Sequence, residues 1–177
     1  ALGTDFGLAS IPGFAQSGDY QMYISGADRK SFNFGDCGTG IMSAPQHSWF
    51  GQRFQQPRHS WFRYHELTAG RKEGNELDLI WFDSSAKDFD ITTLPLDKHF
   101  RKAEVVSMRS SWDDPNALVL AIQAGNNSKS GHRHLDLGSF ILEAQGERWI
   151  KDLGTEHETY MSHRHKYSRY DFYRCRA

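Results

Sequence analysis

Apolar and polar residues follow three successive patterns along this chain. Glycine punctuates the opening stretch, at Gly3, Gly7, Gly13, Gly18, Gly26, Gly35, Gly38 and Gly40, a density that predicts loops and turns. Within it, Tyr20 to Ser25 and Ser31 to Phe34 alternate as strands do. Gly26-Ala27-Asp28-Arg29-Lys30 lies between them, so a small hairpin is expected. Ser43 to Leu67 then reads as helical, with Ser43 as a cap and Pro45 in the first turn. Trp49, Phe50 and Phe54 share roughly one face. Pro57 stops or kinks this helix and opens a second, whose face carries Trp61, Phe62 and His65. The tetrad His-Ser-Trp-Phe occurs at His47 to Phe50 and again at His59 to Phe62, but the shift between them does not preserve helix phase. Leu77 to Phe82 is a short apolar run, a helix end or a buried strand. Ser84 to Asp97 is a polar loop with Pro95 and a candidate boundary.

From Phe100 the period changes to two. Val106, Met108 and Trp112 alternate with Ser107, Arg109 and Ser111. Asp113-Asp114-Pro115-Asn116 is a turn. Leu118, Leu120 and Ile122 alternate with Val119 and Ala121, apolar on both faces, which predicts a central strand covered on both sides. Ser139 to Ala144 and Glu147 to Asp152 form a hairpin about Gln145-Gly146. Successive antiparallel strands without helices between them argue for part of a sheet stack. The expected class is therefore α+β, helical over 1–97 with a small hairpin and antiparallel β over 98–177.

Composition narrows the function classes. The chain has 177 residues, 38% apolar, 24% charged, with net charge −1. That is too apolar and too near neutral for a disordered chain, and it argues against a dedicated nucleic-acid binder. The longest clean apolar run, Ala117 to Ile122, falls far short of the roughly 20 residues of a membrane span. Cys37 and Cys175 leave one bridge or two free thiols equally open. Aromatics reach 14%, which fits a packed core first, since aromatics dominate core burial, and stacking on sugar faces second.

Two stretches carry candidate chemistry. In Gly131-His132-Arg133-His134-Leu135-Asp136, an extended backbone projects His132, His134 and Asp136 to one side, a set suited to zinc or a similar ion. The same pair also reads as a surface pair of histidines. Asp152 is a further oxygen donor. With a strict two-residue turn at Gln145-Gly146 it sits opposite Ser139, on the other face from His134. A bulge at Gly138 or a three-residue turn brings it round. The His-x-His spacing also resembles the cupin metal motif, but the Glu expected shortly after it is replaced by Gly138 and Ser139. The second stretch is 159–177, where Lys166, Arg164, Arg169, Arg174 and Arg176 face one acid, Asp171, with Tyr160, Tyr167, Tyr170 and Tyr173 interleaved. Such a strip suits an anionic polymer; a solvated, charge-protected edge strand reads the same way.

Val106-Ser107-Met108-Arg109-Ser110-Ser111-Trp112, Ala117 to Gly125, Gly131 to Phe140 and Gly146 to Gly154 together resemble the heparinase II/III-like polysaccharide lyases. Pro12-Gly13-Phe14, Gly18-Asp19-Tyr20 and Phe32-Asn33-Phe34-Gly35-Asp36 are more loosely similar to the end of that family's α/α toroid. The resemblance implies a helical toroid packed on an antiparallel β-sandwich, and β-elimination on uronate-containing polysaccharides. It implies zinc, held by His134, Asp152 and a later His that this chain does not reach. It places His132 and Tyr170 at the cleft as catalytic groups, with Arg169, Arg174 and Tyr173 on the anionic polysaccharide. It also implies export to the periplasm or beyond. The family's main catalytic Tyr and its Asn and His helpers find no match in Ala1 to Gly40, so the resemblance predicts a fragment, inactive by itself. A non-catalytic carbohydrate-binding or structural module of the same fold, and a metal-dependent hydrolase, are the rival readings.

Overall fold

The computed structural model describes residues 4–126, 134 and 137–154. The expectations for His132, Asp136, Arg169, Tyr170, Tyr173, Arg174 and Cys175 lie outside the described residues. The chain divides into two compact units, one of Ala1–Tyr23 with Ile41–Thr93, the other of Ile24–Gly40 with Leu94–Ala177.

The first unit is helical. It contains α1 (Ser17–Tyr23), α2 (Gln46–Phe54), α3 (Pro57–Thr68) and the single turn α4 (Asp78–Trp81). Tyr20 to Tyr23 is thus helix, where the alternation predicted a strand. Asp19, Met22 and Tyr23 are buried, and their i, i+3, i+4 spacing is that of one helix face. Pro57 opens α3 as expected, because a first-turn N–H has no intrahelical partner to lose. Ser43 does not cap α2; Pro45 occupies that position, and the buried Ser43 hydroxyl makes no hydrogen bond among the described residues. The expected aromatic face forms, with Trp49, Phe50 and Phe54 packed at 5.3–6.4 Å around the ring of Phe14.

The two His-Ser-Trp-Phe tetrads face each other. The ring of His47 lies 5.0 Å from Phe62, and Phe50 lies 5.9 Å from His59. Helix phase does not carry from α2 into α3, because the break before Pro57 resets it. Two like helix starts folded back on one another therefore bring like residues together. Gly51 sits where they meet; a Cβ there would overlap the Ser60 hydroxyl. Leu77 to Phe82 is helical rather than a buried strand, forming the single turn α4 with Leu79 and Ile80 89% and 72% exposed.

The second unit is a five-stranded antiparallel meander, β1 (Asp97–Phe100), β2 (Val105–Arg109), β3 (Val119–Gln123), β4 (Phe140–Ala144) and β5 (Glu147–Ile150), in sequence order. The predicted two-residue turn joins β4 to β5. Gln145 and Gly146 both have positive φ, 56° and 78°, the signature of a type I′ turn. A register shift falls between Leu142 and Glu143, which pair with Ile150 and Arg148. One bulge therefore sits in β5 at Trp149, and the expected one at Gly138 is present too: Gln123 N–H donates to the Ser139 carbonyl while the Gln123 carbonyl accepts from Gly138 N–H, with Gly138 at φ 90°.

Burial of this sheet falls short of the cover on both sides that the sequence predicts. Val105, Ser107, Arg109, Val119, Ala121, Gln123, Ile141 and Glu143 are buried. Val106, Met108, Leu120, Ile122 and Leu142 are half-buried, and Phe140 and Ile150 are exposed. The central strand β3 is packed on one face, not two. The packed face carries the polar groups because they grip the backbone of the segment that covers it. Among the described residues, no helix is long and apolar enough to cross a membrane.

Candidate functional site

The glycine-rich segment Ile24–Gly40 folds back on itself through a bridge between Ser25 and Ser31 and a hydrogen bond from Phe32 N–H to the Ile24 carbonyl. Its exposed backbone groups are satisfied by side chains of the sheet. Arg109 donates to the Ser25 carbonyl at 2.8 Å, with its guanidinium stacked 3.8 Å above the Trp112 ring. Glu143, 4% exposed, accepts from the Ala27 N–H at 2.8 Å and from Arg148 Nε at 2.6 Å. Arg148 reaches on to the Ser31 carbonyl at 3.1 Å. Gly26 carries no side chain where a Cβ would run into the Glu143 carboxylate. A buried carboxylate is tolerable here because a guanidinium and a main-chain donor both pair with it.

Held in this way, the segment presents Asn33 and Asp36 to the two predicted metal-ligating positions. Asp36 Oδ1 accepts from His134 Nε2 at 3.0 Å, with both side chains mostly buried. Asn33 Nδ2 donates to the Asp152 carbonyl at 2.7 Å. The Asp152 carboxylate accepts from the Ser139 hydroxyl at 2.9 Å and from the Gly154 N–H at 2.7 Å. Ser139 is thus beside Asp152 through its side chain, although the bulge at Trp149 breaks the strict pairing that would set the two opposite each other. His134 and Asp152 are tied to one four-residue turn. Asn33, Asp36, Glu143, Arg109 and Arg148 do not stand out as site residues in the sequence. The signals it holds are that Asn33 and Asp36 lie in a glycine-containing turn, and that Asn33, Asp36, Arg109 and Arg148 lie within the stretches that carry the resemblance.

Zinc accepts imidazole nitrogen and carboxylate oxygen, with three protein ligands in catalytic sites and four in structural ones. His134 and Asp152 offer the right chemistry but only two side chains. Among the described residues, no group of three or more His, Cys, Asp and Glu is placed to hold a metal ion. The described residues therefore do not complete a zinc site.

The helical unit holds a separate buried polar cluster. His59 Nε2 meets Asp19 Oδ1 at 2.8 Å, and Arg58 Nε donates to the same oxygen at 2.6 Å. Burial pushes the Asp19 carboxyl up, but the His59 and Arg58 hydrogen bonds outweigh it and hold it down at about 2. Burial drives His47 down to about 4, so its ring is neutral at pH 7. Gly18 lets the His59 ring approach α1, since a Cβ there would lie 3.0 Å from Nε2. Arg63, 1% exposed, is matched by Asp78 through Nε at 2.9 Å. Asp19 is paired with His59 and Arg58, and Arg63 with Asp78, while His47 Nε2 and His59 Nδ1 are buried without a hydrogen bond among the described residues.

No protein-family model and no curated protein matches the chain. Solved structures do. The heparan sulfate lyase HepC of Pedobacter heparinus is 21% identical over 86% of this chain, with TM-score 0.52, and a mutant of it gives 0.54. A heparinase III structure is 18% identical over 81% of the chain, with TM-score 0.52. The chain shares the fold of these proteins, a helical part followed by an antiparallel sheet. It spans only about a fifth of their length, 21% and 22% respectively.

Proposed function

We propose that this chain is part of a polysaccharide lyase that cleaves uronate-containing anionic polysaccharides by β-elimination. The observation that carries the reading is the shared fold with heparan sulfate lyase and heparinase III structures over more than four-fifths of the chain. The turn Asn33–Asp36 adds support, since it links the His134 ring, through Asp36, to the main chain at Asp152, through Asn33.

Elimination needs three things. The uronate carboxylate must be neutralised so that charge developing at C5 is stabilised. A base must take the C5 proton while the C4–O4 bond breaks and the electron pair forms C4=C5. An acid must protonate O4 as it leaves. In this proposal His132 and Tyr170 stand at the cleft, and Arg169, Arg174 and Tyr173 hold the polymer. Tyrosine acts as a base only where nearby cations lower its pKa. Zinc at His134 and Asp152, completed by further donors, belongs to the same proposal as an ordering element. Heparan sulfate, heparin, chondroitin sulfate and alginate are the candidate substrates, and the periplasm or the exterior is the proposed location.

The test is direct. Protein containing this chain is incubated with each of the four polymers and followed by ultraviolet absorbance for the unsaturated uronate. Rising absorbance with at least one polymer is expected. Binding without absorbance would reassign the chain to a carbohydrate-binding module. Neither binding nor absorbance on all four would sink the proposal for these substrates.

A further inference from the structure

We propose that the turn Asn33-Phe34-Gly35-Asp36 is the positioning element of the candidate site, with Asp36 setting the ring of His134 and Asn33 setting the main chain at Asp152. The inference rests on the reading of His134 and Asp152 as site residues and adds two residues that reading does not contain.

Three observations carry it. First, two side chains three positions apart reach two segments that lie 98 and 119 residues away in sequence. One short turn thereby fixes the spacing between those segments. Second, the turn is built to aim both side chains. Cys37 N–H bonds back to the Phe34 carbonyl at 3.2 Å, and Gly35 takes φ 60°, the left-handed region that favours glycine. Third, the receiving side is shaped for the contact. Gly154 has φ 68°, and a Cβ there would lie 3.3 Å from Asn33 Nδ2, closer than a side chain is comfortably accommodated. The buried Asn33 Oδ1 makes no hydrogen bond among the described residues. A buried amide used only as filler would be replaced by an apolar side chain at lower cost.

The chemistry of the Asp36 contact is specific. A carboxylate oxygen accepts, so Nε2 of His134 carries the proton in this pairing. A carboxylate partner on one ring nitrogen is the usual means by which a functional imidazole is fixed in tautomer and orientation. Neither Asn33 nor Asp36 is assigned any contact with substrate; both act through their partners.

The experiment is ¹⁵N–¹H imidazole correlation spectroscopy on the labelled full chain, near pH 7.5, with Asp36→Asn, Asp36→Ala and Asn33→Ala beside the wild type. The wild-type His134 ring is expected to hold its proton on Nε2. Asp36→Asn, whose amide oxygen still accepts, keeps that tautomer. Asp36→Ala loses it, while the backbone amide signals outside 33–36 and 134–139 stay in place. Asn33→Ala moves the amide signals of Lys151 to Gly154 and spares the His134 ring. A wild-type ring protonated on Nδ1 overturns the proposal, and that result does not depend on whether any variant folds. An Asp36→Ala ring unchanged from wild type overturns it as well. A zinc titration of the same samples reports separately on the ligand reading. If the wild type takes up no zinc, His134 and Asp152 fall as ligands while the spectroscopic result still decides the positioning role.

Discussion

His47 and Asp19 make the stability of the helical unit depend on acidity, with signs that follow from burial at His47 and from the hydrogen bonds of His59 and Arg58 at Asp19. His47 titrates at about 4 in the folded chain against an ordinary value of 6.5, because burial disfavours its charged form. Between those values the unfolded chain binds the extra proton, so stability rises with pH there by up to about 1.4 kcal/mol per unit. This contribution is complete above 6.5 and is lost as the pH falls toward 4. Asp19, held down to about 2 from 3.8, adds a contribution present above 3.8 and lost as the pH falls through 2. We expect urea midpoints to decline from pH 7 to pH 4, and His47→Phe to flatten that slope; an unchanged slope in the variant would show that another group is responsible. Arg148 gives a second expectation for a single side chain. It is the partner of the buried Glu143 and a donor to the Ser31 carbonyl. Arg148→Ala strands that carboxylate, so a loss of about 3–5 kcal/mol is expected in denaturant unfolding. A loss under about 1 kcal/mol would mean that the Ala27 N–H alone satisfies Glu143.

Among the helices and strands, close approach decides more than propensity does. Gly51 of α2 faces Ser60 of α3, and a Cβ there would lie 2.8 Å from the Ser60 backbone nitrogen. Gly51→Ala should lower stability by about 1–3 kcal/mol, the usual range for overpacking. Ser60→Ala should not rescue it, because the backbone nitrogen remains. Thermal melts of the single and double variants decide this. The β4–β5 turn offers a gain instead. Gln145 holds φ 56° at the first central position of its type I′ turn, where Asn is favoured. Gln145→Asn should stabilise by about 0.5–1 kcal/mol, read as a rise in the same melts.

Much of this layer is legible in the sequence. Pro57 marks the helix boundary and Gln145-Gly146 marks the hairpin; both signals are local because they depend on φ and on a missing N–H. The strand expected at Tyr20 is a helix instead, because a stretch this short fits both periods, and the burial of Asp19, Met22 and Tyr23 settles it. β1 leaves no signal, since Asp97 to Phe100 has no apolar alternation and is held by pairing with β2.

Across the sheet of the second unit, the two faces separate sharply, and adjacent residues of β3 should respond in opposite ways. Ala121 is fully buried, so Ala121→Lys should prevent folding of the sheet. Leu120, half-buried on the apolar face, should accept Leu120→Lys with little loss of melting temperature and with weaker binding of an apolar dye. Equal damage from both substitutions would mean that this face is covered in solution. The apolar residues Val106, Met108, Leu120, Ile122 and Leu142 form one register-matched stripe, which alternation alone shows. Alternation does not show which stripe is packed.

Short-range rules along the chain suffice for the order of the molecule, helices first and an antiparallel sheet second, and for the turn between its last two strands. They also mark His134 and Asp152 as residues to watch. Period, proline and glycine act within a few residues, so their effects can be read without knowing what packs where. Two features depend on three-dimensional packing instead: the sheet face that carries the polar groups is the buried one, and Asn33 and Asp36 are the side chains that reach the candidate site. Both rest on contacts between segments about a hundred residues apart. A buried charge or amide is stable only where a specific partner meets it, and the identity of that partner is set by packing.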